Sequence, residues 1–141
     1  MAKESLFFAL AAAVVWGAAP LFAKVGLVKI DPLTGLAGRN LFVTIALFSF
    51  LLCTGSIKYL ANVDLKSAAL LSIEGLLGGL IGQWLYFRAL KYWEASNVVP
   101  IVSSYAFFSF LFAIIILGEK ITVQKSLGVI FVIAGLVFLG K

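Results

Sequence analysis

From Ala95 to Gly118 the chain carries no charged residue at all. An α-helix rises about 1.5 Å per residue, so roughly 20 apolar residues cross a hydrocarbon layer about 30 Å thick. This stretch is long enough to do so, and it is one of five. Leu6 to Ala23 is a second uncharged run, with Lys3 before it and Lys24 and Lys29 after it. A third runs from Leu33 to Thr54 and is interrupted by Arg39. A fourth, from Ser67 to Tyr92, carries Glu74 and Arg88, and the last runs from about Val123 to Gly140. Backbone groups in lipid must find their partners within the segment, which requires helices. Barrel strands would be about ten residues long with alternating polarity, a pattern not seen here. The expected fold is an all-α membrane protein with spans at about 5–28, 33–55, 67–92, 95–117 and 122–140, forming one five-helix domain over residues 1–141.

Composition closes off the alternatives. Of 141 residues, 63% are hydrophobic and 12% charged, against about 45–50% and about 25% in a soluble domain. Such a chain could not cover its own surface in water, so a soluble enzyme is excluded. It has no histidine and a single cysteine, Cys53, so neither an intrachain disulfide nor a thiol or imidazole metal site is expected. Neither paired carboxylates nor a nucleotide-binding loop is present, and no cofactor or enzyme activity is expected. The net charge of +5 is attributed to residues flanking the spans rather than to nucleic-acid binding. The first apolar run reads as a span rather than a cleaved leader, because four more spans follow it.

The connections carry ordinary stop and start signals. Asp31-Pro32 breaks the chain, since proline disfavours helix in the residue before it. Ser56 to Lys66 is polar and reads as a loop. Ser96 and Thr122 are expected N-caps, and Gly118 a C-cap. Tyr59, Tyr92 and Trp93 read as interfacial anchors, and Glu119 and Lys120 as a solvated turn.

Five spans place the termini on opposite sides of the membrane. Lys3, Lys58, Lys66, Lys120 and Lys125 fall on one side, Lys24, Lys29, Arg88, Lys91 and Lys141 on the other, with Arg39 inside a span. The positive-inside rule needs an excess, and five against five gives none. Either the early loops dominate insertion, or the protein inserts both ways and pairs as an antiparallel dimer.

Several motifs together carry a family resemblance. They are Trp16-Gly17 followed by Lys24, Arg39 early in span two, and Gly75-Leu-Leu-Gly-Gly-Leu-Ile-Gly82 running into Tyr86-Phe-Arg-Ala-Leu-Lys-Tyr92 and Ala95-Ser96. Leu117-Gly-Glu-Lys-Ile-Thr122 and Leu127-Gly128 through Ala134-Gly135 complete the set. From about Ser5 to Gly140 the chain resembles a single EamA-type repeat of the drug/metabolite transporter superfamily. It departs from the common pattern in having Pro100 rather than a proline near Ala106. Members typically carry two such repeats, inverted relative to one another, and move small metabolites, amino acids or drugs. The resemblance therefore implies half of an inverted-repeat transporter, completed by a second copy or a partner subunit.

Charged groups within a span cost at least about 2.5–3.5 kcal/mol, so each needs a protein or water partner. Glu74 lies roughly 10 Å into span three, and Arg39 roughly 10 Å into span two from the opposite side. Glu74 is read either as a neutral or paired carboxyl or as a coupling carboxylate; Arg39 either snorkels or contacts an anion. In an antiparallel dimer the two would be level and could pair between subunits. Trp16 lies near mid-depth, Gln83 flanks a Gly75, Gly79, Gly82, Tyr86 stripe, and Ser104 and Tyr105 bring hydroxyls into span four. Trp16, Gln83, Tyr86, Ser104 and Tyr105 are the expected substrate contacts, although helix packing is the better reading of the glycine stripe. Two functions stand side by side: a secondary transporter of a small metabolite working by alternating access as a dimer, and an accessory or regulatory membrane subunit with no transport of its own. Both place a multi-pass protein in the lipid of the cell membrane.

Overall fold

The computed structural model describes residues 2–139. Gly140, the expected end of span five, lies outside them, as do Lys141 and the side chain of Lys3 from the charge count. All regular elements among the described residues are helical. In order they are α1 (Ala2–Gly26), α2 (Pro32–Cys53), a 3-10 helix (Ser56–Asn62), α3 (Leu65–Glu74), a π-helix (Gly75–Gly82), α4 (Gln83–Tyr92), α5 (Ala95–Ser103), α6 (Tyr105–Leu117) and α7 (Val123–Leu139). Glu4–Gly26, Pro32–Cys53, Leu65–Tyr92 and Ala95–Leu117 are long and apolar enough to cross a membrane. The fifth apolar helix, α7, has 17 described residues, near the shortest length that spans a bilayer. The chain is an all-α, multi-pass membrane protein.

Local chemistry explains the boundaries. Asp31 caps α2, its Oδ2 accepting the N–H groups of Leu33 at 2.9 Å and Thr34 at 3.2 Å, with Pro32 in the first turn, where a missing N–H costs nothing. Gly118 ends α6 at φ +65°, a left-handed conformation that a side chain resists. Thr122 opens α7, its Oγ1 accepting from the Lys125 N–H at 3.3 Å, and Lys125 pairs with Glu119 at 2.8 Å across that turn. Two expectations need correction. The Ser56–Lys66 stretch is not a plain loop: Ser56–Asn62 winds into a 3-10 helix after Gly55 turns the chain at φ +66°. Nor does Ser96 cap α5. Glu94 holds the N-cap position and its carbonyl accepts from Asn97 and Val98, so Ser96 already lies in the first turn.

Asp64 caps α3 by accepting the Ser67 N–H at 3.0 Å. The bonds from the Ser67 side chain and backbone N–H hold its carboxyl below its ordinary value of 3.8. A carboxyl depressed by folding contributes above its unfolded value and loses that contribution as pH falls through the lowered one. Hydrogen exchange of the Ser67 and Ala68 amides should therefore accelerate, relative to the Asp64→Asn variant, only below about pH 4.

The contacts divide the chain into two compact units, one ending at Tyr92 and one beginning at Trp93. In the first, α4 packs against both α1 and α2. Its buried apolar side chains are Leu27 (3% exposed), Leu36 (1%), Phe87 (5%) and Leu90 (0%), together with Pro20 and Pro32. They belong to the last two turns of α1, the α1–α2 connection, the start of α2 or the last turns of α4, so the unit is tied at one end. Along the spans, Phe7, Phe22, Phe42 and Phe50 stay exposed, as expected where lipid rather than a protein core receives apolar surface. In the second unit, α5 and α6 each pack on α7.

Candidate functional site

Two of the spans are not continuous α-helices. In span three, the Gln83 N–H donates to the Gly78 carbonyl five residues back, the bonding that defines a π-helix and that recurs at functional sites. Four glycines in eight residues permit it. Gly82 shows why: a Cβ there would lie 3.0 Å from the Leu77 carbonyl oxygen, whereas at Gly75 or Gly79 it would meet nothing within 4 Å. A wider coil also turns less per residue than the 100° of an α-helix, so Gly75, Gly79, Gly82 and Tyr86 do not form the stripe that α-helical spacing predicted.

In span four, Pro100 has no N–H to offer the carbonyl four residues earlier. The chain then tightens at Ser104, whose N–H donates to the Ile101 carbonyl at 3.1 Å and whose carbonyl accepts from Phe107 at 2.9 Å. These i to i−3 bonds separate α5 from α6. Ser103 turns its hydroxyl back to the Val99 carbonyl at 2.8 Å, and so is spent within its own helix.

Four of the residues nominated from sequence border these two breaks. Glu74 is the last residue of α3 and Gln83 the first of α4, either side of the π-helix; Ser104 is the break in span four, and Tyr105 opens α6. Tyr86 and Gln83 are half-buried in the first unit, while Tyr105 is 55% exposed in the second. Trp16 lies on a continuous stretch of α1 and is 67% exposed; within its own unit it packs into no core.

Arg39 is engaged with neutral groups. Its Nε and Nη2 donate to Asn40 Oδ1 at 3.1 and 2.8 Å, and its guanidinium lies 5.7 Å from the Phe87 ring centre. Phe87 in turn neighbours the Tyr86 ring at 6.4 Å. Arg39 is thus level with Phe87, thirteen residues along span three from Glu74, roughly 20 Å at α-helical rise. Among the described residues the two charges form no ion pair.

Features not anticipated from sequence gather at the tied end of the first unit. Lys24, expected to flank a span, is half-buried and donates to the Leu90 carbonyl at 2.5 Å, while Lys91 donates to the Ile30 carbonyl at 2.8 Å. Arg88 sits 5.4 Å from the Trp84 ring centre; its i, i+4 spacing was legible in the sequence. One cleft of about 210 Å³ is lined by Lys24, Leu27, Val28, Lys91 and Tyr92. Another of about 340 Å³ is lined by Asp31, Pro32, Leu33, Trp84, Arg88 and Tyr92. Neither contains Trp16, Gln83 or Tyr86.

Residues 3–141 match the EamA-like transporter family. The chain belongs to that family. It is also 29% identical over 140 residues to an "uncharacterized transporter in cobO 3'region" from Sinorhizobium sp., covering 99% of this chain and 98% of that protein. No solved structure matches. As a member of the EamA-like family the chain is a membrane transporter by class, and the resemblance read from its motifs holds.

Proposed function

We propose that this EamA-like chain is a half-size secondary transporter, moving a small metabolite across the cell membrane by alternating access as a dimer of two oppositely inserted copies. The observation that carries this reading is the bordering of both helix breaks by polar residues: Glu74 and Gln83 at one, Ser104 and Tyr105 at the other. Irregular backbone at membrane depth is tolerated where it lines a cavity, and broken helices supply the binding groups of many transporters. Trp16, Gln83, Tyr86, Ser104 and Tyr105 are assigned to solute contact, each within its own span, and Glu74 to coupling.

Two further facts support the half-size reading. A single EamA-like match covers residues 3–141, and the relative from Sinorhizobium sp. is matched over 98% of its own length. Pairing also resolves the charges. Inverting a second copy about the middle of Leu65–Tyr92 brings Arg39 of one copy to within roughly 6 Å of the level of Glu74 of the other, a gap an arginine side chain reaches.

Purified chain reconstituted alone into vesicles should take up at least one of a panel of radiolabelled amino acids and small organic acids under an imposed pH gradient. Flux that arises only when a second polypeptide is added would establish the accessory role instead. Orientation is read separately. In a Cys53→Ser background, a single cysteine placed at Ser56 should react with an impermeant maleimide from both faces of intact and inverted vesicles. Labelling from one face alone would exclude dual insertion.

A further inference from the structure

We propose that the tied end of the first unit binds the phosphate of an anionic phospholipid, gripped by Arg88 and Lys91 on either side of Tyr92. This goes beyond the transport reading and does not depend on it. The two clefts at this end share Tyr92 as a common wall. Their rims are cationic, with Lys91 on one and Arg88 on the other, while the one carboxylate lining them, Asp31, has Oδ2 taken by the N–H groups of Leu33 and Thr34. Neither Arg88 nor Lys91 forms an ion pair among the described residues. Both are nevertheless held in place: Lys91 by the Ile30 carbonyl at 2.8 Å, and Arg88 by the Trp84 ring.

An ammonium has three donors and a guanidinium five, so most remain open for a ligand. Phosphate oxygens are the acceptors such groups bind most strongly, and basic pockets between membrane helices take anionic headgroups. The remaining walls define the rest of the ligand. Leu27, Val28, Pro32 and Leu33 are apolar, and Val28 and Leu33 are exposed, so the clefts open onto span surface against which an acyl chain can lie. Trp84 and Tyr92 are the residue types that sit at headgroup level. A soluble phosphate would use the cations and leave these walls unfilled. The underlying core, Leu27, Leu36, Phe87 and Leu90, is the best-packed part of the unit, so the site is preformed.

The test is native mass spectrometry of the full chain in detergent, titrated with phosphatidylglycerol, phosphatidylcholine or inorganic phosphate. The wild type should retain phosphatidylglycerol in preference to phosphatidylcholine. Arg88→Gln with Lys91→Gln should lower that affinity about 25-fold, each cation being worth roughly a factor of five. Lys58→Gln with Lys66→Gln removes the same charge from the other end of this unit and should leave the affinity within about twofold. Equal losses in the two double variants would mean diffuse attraction and overturn the proposal. Displacement of the lipid by millimolar inorganic phosphate would assign the site to a soluble anion and overturn it too. Should the Lys91 substitution disturb folding, Arg88→Gln alone suffices: among the described residues the Arg88 side chain makes no hydrogen bond to a backbone group, and unchanged lipid affinity in that variant would equally overturn the proposal.

Discussion

Arg39→Glu and Glu74→Arg are each expected to abolish solute flux, and mixing the two variant chains is expected to restore it. A single reversal leaves like charges facing each other within the membrane. A mispaired charge at mid-span costs at least about 2.5–3.5 kcal/mol, which corresponds to roughly a hundredfold loss. The mixing experiment separates pairing between copies from pairing within one. In an antiparallel dimer built from one chain of each kind, the glutamate introduced at position 39 of the first meets the arginine introduced at position 74 of the second. The native Arg39 of the second chain meets the native Glu74 of the first. Both contacts are then attractive. A pair confined to one chain would stay broken in both partners, and mixing would restore nothing. Geometry already argues against the confined pair, because Arg39 sits beside Phe87, thirteen residues along the span from Glu74. Co-reconstituted variants that recover at least a tenth of wild-type flux, when neither alone exceeds about a hundredth, would establish the contact. Recovery in neither the mixture nor the double variant would exclude the Arg39–Glu74 pair.

The parts legible in the sequence were those that the bilayer dictates. Runs such as Ala95–Gly118 announce helices because lipid offers backbone groups no other partner, and short signals such as Asp31-Pro32 and Gly118 mark where those helices stop. The irregularities were less legible, each for a definable reason. Gly75–Gly82 reads as a packing stripe if 100° per residue is assumed, and nothing in a glycine-rich string declares that the turn widens. Pro100 does signal disturbance, but the break falls four residues on, at Ser104, where the hydrogen bonds tighten to i to i−3 spacing. Hydropathy also treats Lys24 and Lys91 as flanking charges, whereas each reaches a carbonyl more than 60 residues away in the chain. Long-range bonds of this kind leave no local periodicity to read. The candidate contacts fared in the same way: residue type placed Gln83, Ser104 and Tyr105 at depth, but their position beside broken helix came only with the fold.

Gly82→Ala and Gly79→Ala are expected to act with opposite sign, although both replace a glycine in the same π-helix by the same residue. At Gly79 the new Cβ enters open space, and alanine loses less backbone freedom than glycine on ordering, a gain of roughly 0.5–1 kcal/mol. At Gly82 the Cβ lies 3.0 Å from the Leu77 carbonyl oxygen, a contact made close by the five-residue spacing of the π-helix. Relief requires either distorting that turn or reverting to α-helical bonding. Reversion is not local, because changing the ladder by one residue rotates everything that follows by on the order of 100°. Phe87 and Leu90, the two buried side chains of α4 that tie the first unit together, would swing away from α1 and α2. A rotation of that size would cost several kcal/mol, as truncating buried leucine or phenylalanine does at about 2–5 kcal/mol each; the cheaper outcome is a strained π-helix, destabilised by about 1–2 kcal/mol. Thermal unfolding in detergent should therefore rank Gly79→Ala above the wild type and Gly82→Ala several degrees below it. Flux in Gly82→Ala should fall further than stability alone explains, because the turn it strains positions the adjacent Gln83, whose N–H bonds to the Gly78 carbonyl. Equal melting temperatures for the two variants would mean that span three is an ordinary α-helix in the membrane, and the break bordered by Glu74 and Gln83 would no longer support a solute path there.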